Sequence, residues 1–462
     1  MSLYPGRGYL SRRQLGEIAI GTVGLGASYL STREVSPTDY GLYGVLPIGP
    51  YKRKKTIMSE IVPDRIWTFD QKFGILNVQV PVRCVVVRLE GERGGLFVYN
   101  PVAATPELVS MMRDLESRYG PVKDIVLGTV AIEHKVYAGV FAQKFKDARV
   151  WLQPGQYAFP TDLPNSFLGF PIGRTFDMPR TVKGGEGGEA PEEWRRSGLD
   201  LRTFGPLISR DGAFGETVFY HRPTKTLLVT DTVVKVTEDV PDIYEDDPAP
   251  LLYHARDTVT DDREDSADTR KRGWRRLILF ALYFNPSTIV IKDPKVAFRE
   301  RRTDINSDFY GIYPWDWIGN GDVASFEALT GTGKGGLLVA PILSKLILNR
   351  NPIEALDFAD EVSRWDIERI IPSHLANDLR ATGKDYRDAF GFLEEGGVKR
   401  GLPRPLDADL KILNDAEINL LESGAIVKCP PLPGGYASRA DILAESAYNC
   451  RSGTCTPRSS PT

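Results

Sequence analysis

Between Ile61 and Leu152 the chain alternates short β-rich runs with one amphipathic stripe, and this alternation constrains the fold more than any other feature. Arg65-Ile66-Trp67-Thr68-Phe69 reads as a strand, and Asn77-Val78-Gln79-Val80 leads into the apolar run Arg83 to Leu89. A turn from Glu90 to Gly95 carries three glycines and precedes Leu96-Phe97-Val98-Tyr99, the punctuation expected of paired strands. Thr105-Pro106-Glu107 then opens a helix: the Thr hydroxyl can take an orphan amide, and Pro has no amide to lose at the first helical position. Leu108, Met111, Met112 and Leu115 form its core stripe, and Gly120-Pro121 ends it. Asp124 to Gly128 is a buried strand, Val140 to Phe145 looks helical, and Arg149 to Leu152 is a further strand. Hairpins followed by strand-helix-strand units predict a layered α/β domain.

The remainder divides by composition. Residues 182–198 are rich in Gly, Glu and Arg and read as a surface loop. Strands resume at Thr217 to Tyr220 and Thr226 to Thr230, joined by a turn at Arg222-Pro223-Thr224-Lys225. Residues 238–268 carry an acidic excess, followed by Arg270-Lys271-Arg272 and Arg275-Arg276. This predicts a solvated insertion that pairs with the basic run, with a partner-docking or cation-collecting loop as the other reading. Helices are expected at about 274–284, 322–329, 336–350 and 353–364, and Ile367 to Pro372 is a strand leading to Ser373-His374. The expected organisation is a leader or arm over 1–57, a domain over 58–405 with an insertion at 236–272, and a C-terminal extension with a mobile tail over 406–462. In the arm, Arg12-Arg13 precede an apolar stretch from Ile18 to Leu30. That stretch is shorter than the roughly 20 residues a bilayer span needs, so it reads either as a targeting or membrane-proximal segment or as a docked arm.

Charge and cysteine counts narrow the function classes. Lys and Arg total 58 against 61 Asp and Glu, a net charge of −3, which excludes a polybasic nucleic-acid binder. Four cysteines in 462 residues do not make a disulfide scaffold. Cys84 sits in an apolar run, and Cys450 and Cys455 are spaced CxxxxC with no second pair, so a zinc ribbon is not expected. There are four histidines, and any imidazole-built metal site must use nearly all of them. No G-x-S-x-G element is present. The phosphate-loop lookalike Ala328 to Gly335 lacks the Gly at its start and the Ser or Thr at its end.

The chemistry-bearing residues are distributed. The strand at 124–128 runs into Glu133-His134, the strand at 226–230 ends at Asp231, and the strand at 367–371 ends at His374. Layered α/β proteins build ligand sites beyond the carboxyl ends of their strands. Two imidazoles and two carboxylates there suit one Zn, Fe or Mn ion; the other reading is a buried polar network that satisfies itself.

This order of elements resembles the metallo-β-lactamase fold, an αββα sandwich, here with an N-terminal arm, an acidic insertion and extra C-terminal helices. That superfamily's ligand loop is T-H-x-H-x-D-H. Thr129 and Ala131 stand at its first two His positions, Glu133 at its Asp and His134 at its last His; Asp231 and His374 match its bridging Asp and final His. The superfamily's remaining His is expected near Gly212 to Glu216, where none occurs.

The chain resembles more closely the domain of unknown function 4336 family of plant and algal plastid proteins. Ile66 to Asp70, Gly95 to Tyr99, Glu133 to Val136, Trp151 to Gln156, Pro223 to Asp231, Leu251 to Asp257 and Gly273 to Tyr283 carry that likeness. The resemblance implies the fold and a plastid location, with thylakoid association as an extension of it, but no reaction.

Thr129 and Ala131 cannot replace histidines, so a two-metal hydrolase is not expected. What survives is Glu133, His134, Asp231 and His374 as metal ligands, with Glu133 or Asp231 as general base. His254 with Asp257 is a lower-ranked alternative, since Leu251-Leu252-Tyr253 reads as the anchor of the insertion to the core, and Lys135 would bind an anionic substrate group or neutralise a carboxylate. The primary expectation is a degenerate, metal-free binding or assembly factor whose partner is a small molecule or a plastid protein. The alternatives are a mononuclear metal-dependent hydrolase and a small-molecule or redox-associated binder.

Overall fold

The computed structural model describes residues 48–49, 54–75, 77–91, 94–156, 164–179, 190–209, 212–302, 311–331, 336–394, 397–428, 448–451 and 454–457. The expectations for most of the N-terminal arm, for the glycine-rich half of the 182–198 loop and for most of the C-terminal tail fall outside these residues.

Strands β1 (Ile48–Gly49), β2 (Ile57–Val62), β3 (Ile66–Ile75), β4 (Val78–Arg88), β5 (Leu96–Tyr99), β6 (Val122–Leu127), β7 (Arg149–Leu152) and β8 (Thr175–Asp177) form one sheet in the order β1-β3-β4-β5-β6-β7-β8, with β2 also on β3. Strands β9 (Leu199–Ser209), β10 (Gly212–His221), β11 (Thr226–Val229) and β14 (Arg369–Pro372) form a second sheet in the order β14-β11-β10-β9. Two antiparallel pairs stand apart: β12 (Ile289–Ile291) with β13 (Trp315–Trp317), and β15 (Tyr448–Arg451) with β16 (Thr454–Pro457).

Three cores define the layers. Val85, Val87, Phe97, Tyr99 and Val126 of the large sheet meet Leu199, Phe219, Leu228 and Ile371 of the small one. On the other face of the large sheet, Val86, Val98, Ile125 and Val150 pack on Leu108, Met112 and Leu115 of helix Pro106–Tyr119 and on Tyr137, Ala138 and Phe141 of helix Ile132–Lys144. On the other face of the small sheet, Val218, Leu227 and Ile370 pack on Ala355, Phe358 and Val362 of helix Pro352–Ser363. Helix, sheet, sheet, helix is the expected metallo-β-lactamase-like αββα sandwich.

Helix Pro106–Tyr119 starts as its sequence dictates: Thr105 accepts the Leu108 amide, Pro106 follows, and Gly120 closes the helix at φ 95°. Such a cap contributes about 1 kcal/mol. The acidic stretch differs from its expectation. Helix Ala249–Ala255 lies within it with Leu251, Tyr253, His254 and Ala255 buried, and packs with helix Ala267–Tyr283 into an aromatic core containing Trp274, Trp315 and Trp317. The predicted pairing with the basic run is present: Asp257 meets Arg263, Arg272 and Arg276, and Asp265 meets Arg270. The stretch is a packed accessory layer, because a buried apolar helix sits between its acidic turns. Helix Lys411–Glu422 adds Leu413 to the same core. Among the described residues no helix is long and apolar enough to cross a membrane.

Candidate metal centre

Three chain crossings bring the candidate residues to one end of the sandwich. β6 ends at Leu127, and Gly128-Thr129 lead into helix Ile132–Lys144. The sequence reading began this helix too late. It starts at Ile132, so Glu133 and His134 project from its first turn and not from a loop. No side chain caps it; two residues upstream Thr129 Oγ1 accepts the Ala131 amide at 3.1 Å and holds the turn that enters the helix. β11 delivers Asp231 and the parallel neighbour β14 delivers His374. Arg83, ion-paired to Asp70 at 2.7 Å, donates to the carbonyls of Pro372 (2.6 Å) and Leu375 (3.0 Å) and so straps the backbone on both sides of His374.

The resulting geometry is tight. His134 Nε2 and His374 Nε2 are 3.1 Å apart, and His374 Nε2 is 3.1 Å from Asp231 Oδ1. One donor atom from each of His134, Asp231 and His374 lies within 4.8 Å of the other two. Glu133 is close, with Oε1 3.8 Å from His374 Nε2, but it is outside that three-residue group. Of the four predicted ligands the structure therefore gathers three and leaves Glu133 beside them. His254 is elsewhere, buried with Nε2 3.2 Å from the Asn77 carbonyl and its ring stacked on Trp315. Lys135 is buried on the helix, and its charge helps to stabilise ionised Glu133.

Electrostatics set the protonation states. Burial, and then the charge of His374, push His134 down to about 3, so its imidazole is neutral. Burial opposes charge on Asp231 as well, but the bond from His374 and the nearby imidazoles outweigh it and lower its pKa. His374 moves the other way: burial disfavours its cation, yet Asp231 and Glu133 raise it above the ordinary value. Glu133 is raised by burial and by repulsion from Asp231. Without an ion, His374 and Asp231 thus stabilise each other as an ion pair, and a bound cation would take over the role of the His374 proton. Two donors sharing one tetrahedral ion at about 2.0–2.1 Å stand about 3.3 Å apart, close to the two 3.1 Å separations at His374, while the third pair, His134 to Asp231, lies within 4.8 Å and would close in around an ion. The chemistry of the donor set, two imidazoles and a carboxylate, fits one Zn, Fe or Mn ion. Among the described residues His134 Nδ1 is buried without a hydrogen-bond partner, so within them this ligand lacks the outer-shell support common in metal sites.

Beside this centre lies a second polar cluster that the sequence reading missed. Glu216 is fully buried. It accepts the amides of Thr230 (2.7 Å), Asp231 (2.9 Å) and Thr232 (2.9 Å) and the Thr232 hydroxyl (3.0 Å). Burial and then the nearby Asp231 raise its carboxyl, against the pull of those donors. Tyr99 OH contacts Thr230 Oγ1 at 2.7 Å and donates to the Thr217 carbonyl, while Asn100 Nδ2 donates to Thr230 Oγ1 and Ser373 Oγ. The only signal for Glu216 is its place in the 212–216 stretch, where the resemblance expects a His.

The family of proteins described as a domain of unknown function (DUF4336) matches residues 63–392. The chain belongs to this family. Residues 63–392 hold the sandwich from β3 to β14, without the edge strands β1 and β2, and include Glu133, His134, Glu216, Asp231 and His374. No curated protein matches the sequence. Among solved structures, it is similar to a metallo-β-lactamase from Pontibacter korlensis at 9% identity, over 73% of this chain and 99% of that one, with a TM-score of 0.32. It is likewise similar to a metallo-β-lactamase from Hirschia baltica (11% identity, 41% of this chain and 78% of that one, TM-score 0.29). A third similar structure is a flavoprotein from Thermotoga maritima (11% identity, 75% of this chain and 63% of that one, TM-score 0.34).

Proposed function

We propose that this DUF4336 protein binds one divalent metal ion through His134, Asp231 and His374 and acts as a mononuclear metal-dependent hydrolase. The observation that carries the reading is the meeting of two imidazole nitrogens and a carboxylate from three separate chain segments within 4.8 Å. A divalent ion held there would supply Lewis acidity and a water acidified toward neutral pH. The chain's own residues supply the rest. Glu133, about a quarter exposed at the mouth of the centre, has its carboxyl raised and is placed to accept and return a proton. Thr129 donates to Asp231 Oδ2 at 3.2 Å, leaving Oδ1 directed to the centre.

A second reading has its own observation. Thr129 and Ala131 offer no imidazole, and His374 can satisfy itself by donating to Asp231. This favours a binding or assembly factor that keeps the enzyme's shape without its metal. In either case the family resemblance supports a plastid location, which a fluorescent fusion of the full chain would test.

Elemental analysis separates the two. Protein purified without chelator and incubated with excess Zn(II), Fe(II) or Mn(II) should retain about one ion per chain. Retention of less than a tenth of an equivalent for all three ions would remove the hydrolase and leave the binding factor.

A further inference from the structure

We infer that Glu216 is the positioning residue of this centre, an inference that rests on the metal reading above: its carboxylate ties down the turn 230–232 and thereby sets where Asp231 points. Each of its oxygens takes two donors. Oε1 accepts the Thr230 amide and the Thr232 hydroxyl, and Oε2 accepts the amides of Asp231 and Thr232. A carboxylate offers about four acceptor sites, so Glu216 is saturated and has nothing left for an ion. It acts on the centre only through the backbone it holds.

The local fold explains how a carboxylate reaches this place. The β9–β10 register shifts between Phe214 and Glu216. Such a bulge re-aims the side chain that follows it, and Gly215 packs so closely on Gln153 that a Cβ there would stand 2.5 Å from Nε2. Glu216 also bridges through its backbone to Thr129, the residue whose hydroxyl holds Asp231 Oδ2. Asp231 is therefore fixed twice, at its amide by Glu216 and at its carboxylate by Thr129.

Glu216→Gln tests this in the full chain. Glutamine keeps the volume but replaces one acceptor oxygen by a donor NH2, which would face two donors from the 230–232 turn. Two readouts are needed. In the metal-free protein, amide exchange at 230–232 should quicken by roughly tenfold or more while β6 is unchanged. In Zn(II) calorimetry, affinity should fall about 10–100-fold, the usual effect of an outer-shell change.

Unchanged exchange at 230–232 overturns the clamp. Faster exchange with unaltered Zn(II) affinity overturns the positioning role while leaving the metal reading intact. A wild-type chain that takes up no Zn(II) overturns the metal reading, and the positioning role with it, whereas the exchange result still decides the clamp. Should Glu216→Gln fail to fold, Thr232→Val removes one of the four bonds. It should shift both readouts in the same direction by less, and wild-type behaviour in both overturns the proposal.

Discussion

Two polar clusters meet at Asp231, and they are built on opposite principles. Around Glu216 every carboxylate lone pair has a protein donor, and Tyr99, Asn100 and Thr230 bond one another. Around His374, by contrast, two imidazole nitrogens and a carboxylate oxygen crowd together, and His134 Nδ1 has no partner among the described residues. Buried polar groups are costly unless satisfied. The first cluster meets that cost within the chain, whereas the second is arranged so that a cation would meet it. A sandwich end can thus be closed on one side and receptive on the other, with a single residue shared between them.

The largest effect should come from the receptive side. His374 Nε2 stands 3.1 Å from both His134 Nε2 and Asp231 Oδ1. His374→Ala should reduce bound metal from about one ion per chain to under a tenth, a loss exceeding the roughly 10–100-fold of outer-shell changes, as read by elemental analysis. Full metal content in that variant would mean that the ion lies elsewhere.

Acid gives the next largest effect. Burial is the leading cause that holds His134 and His254 down to about 3 and His221 to about 4. The unfolded value is about 6.5. For an imidazole whose folded pKa is depressed, stability is fully present above about pH 6.5 and drains as pH falls toward the folded value. The unfolded chain then binds protons that the folded chain refuses. The three imidazoles withdraw on the order of several kcal/mol between pH 6.5 and 4.5, offset in part by the raised carboxyls of Glu216, Glu133 and Asp70, which take up protons first in the folded chain; denaturant titration of metal-free protein measures the net. His374, with its raised value, has the opposite sign: its contribution is present in acid and is lost as pH rises through its folded pKa. His134→Asn should flatten the acid limb by that residue's share. A limb unchanged in this variant would show that His134 is not held neutral, and the receptive side would lose one ligand.

A smaller effect is expected where the two clusters join. Thr129 donates one hydrogen bond to Asp231 Oδ2 at 3.2 Å. Thr129→Val removes it together with the acceptor of the Ala131 amide and should weaken Zn(II) binding severalfold, in line with the roughly 1 kcal/mol of the hydrogen bond that reaches Asp231. A loss as large as that of His374→Ala would make Thr129 a ligand and erase the distinction between the sides.

How much of this could be read beforehand varies with the kind of signal. Asp231 and His374 were legible because each follows a short apolar strand whose end is easy to place. The start of helix Ile132–Lys144 was not, because Ala131 gives no cap and the apolar pattern is inverted in the first turn, where Ile132 is exposed while His134 and Lys135 lie on the buried face. Helix Ala249–Ala255 was masked by the acidic residues on both sides of it, although its own Leu251-Leu252-Tyr253 run marked an anchor. Glu216 was hidden by a bulge, since strand alternation cannot reveal a side chain re-aimed by a register shift.

That bulge makes the smallest expected effect the most discriminating. Installing imidazoles with Thr129→His and Ala131→His restores the side chains that the ligand loop of the resembling superfamily would carry. If missing histidines were all that separated this chain from a two-metal centre, such a variant would gain a second ion. The geometry argues otherwise. Glu216 occupies the adjoining position on β10 with both oxygens committed to the 230–232 turn. Freeing one oxygen would break two of those bonds, at about 1.5–3 kcal/mol each for a charged acceptor, a cost that a second ion would have to overcome. Metal stoichiometry under excess Zn(II) should therefore stay at about one per chain. A rise to two would show that the closed cluster yields to a cation, and would reduce the contrast between the sides to the absence of two histidines.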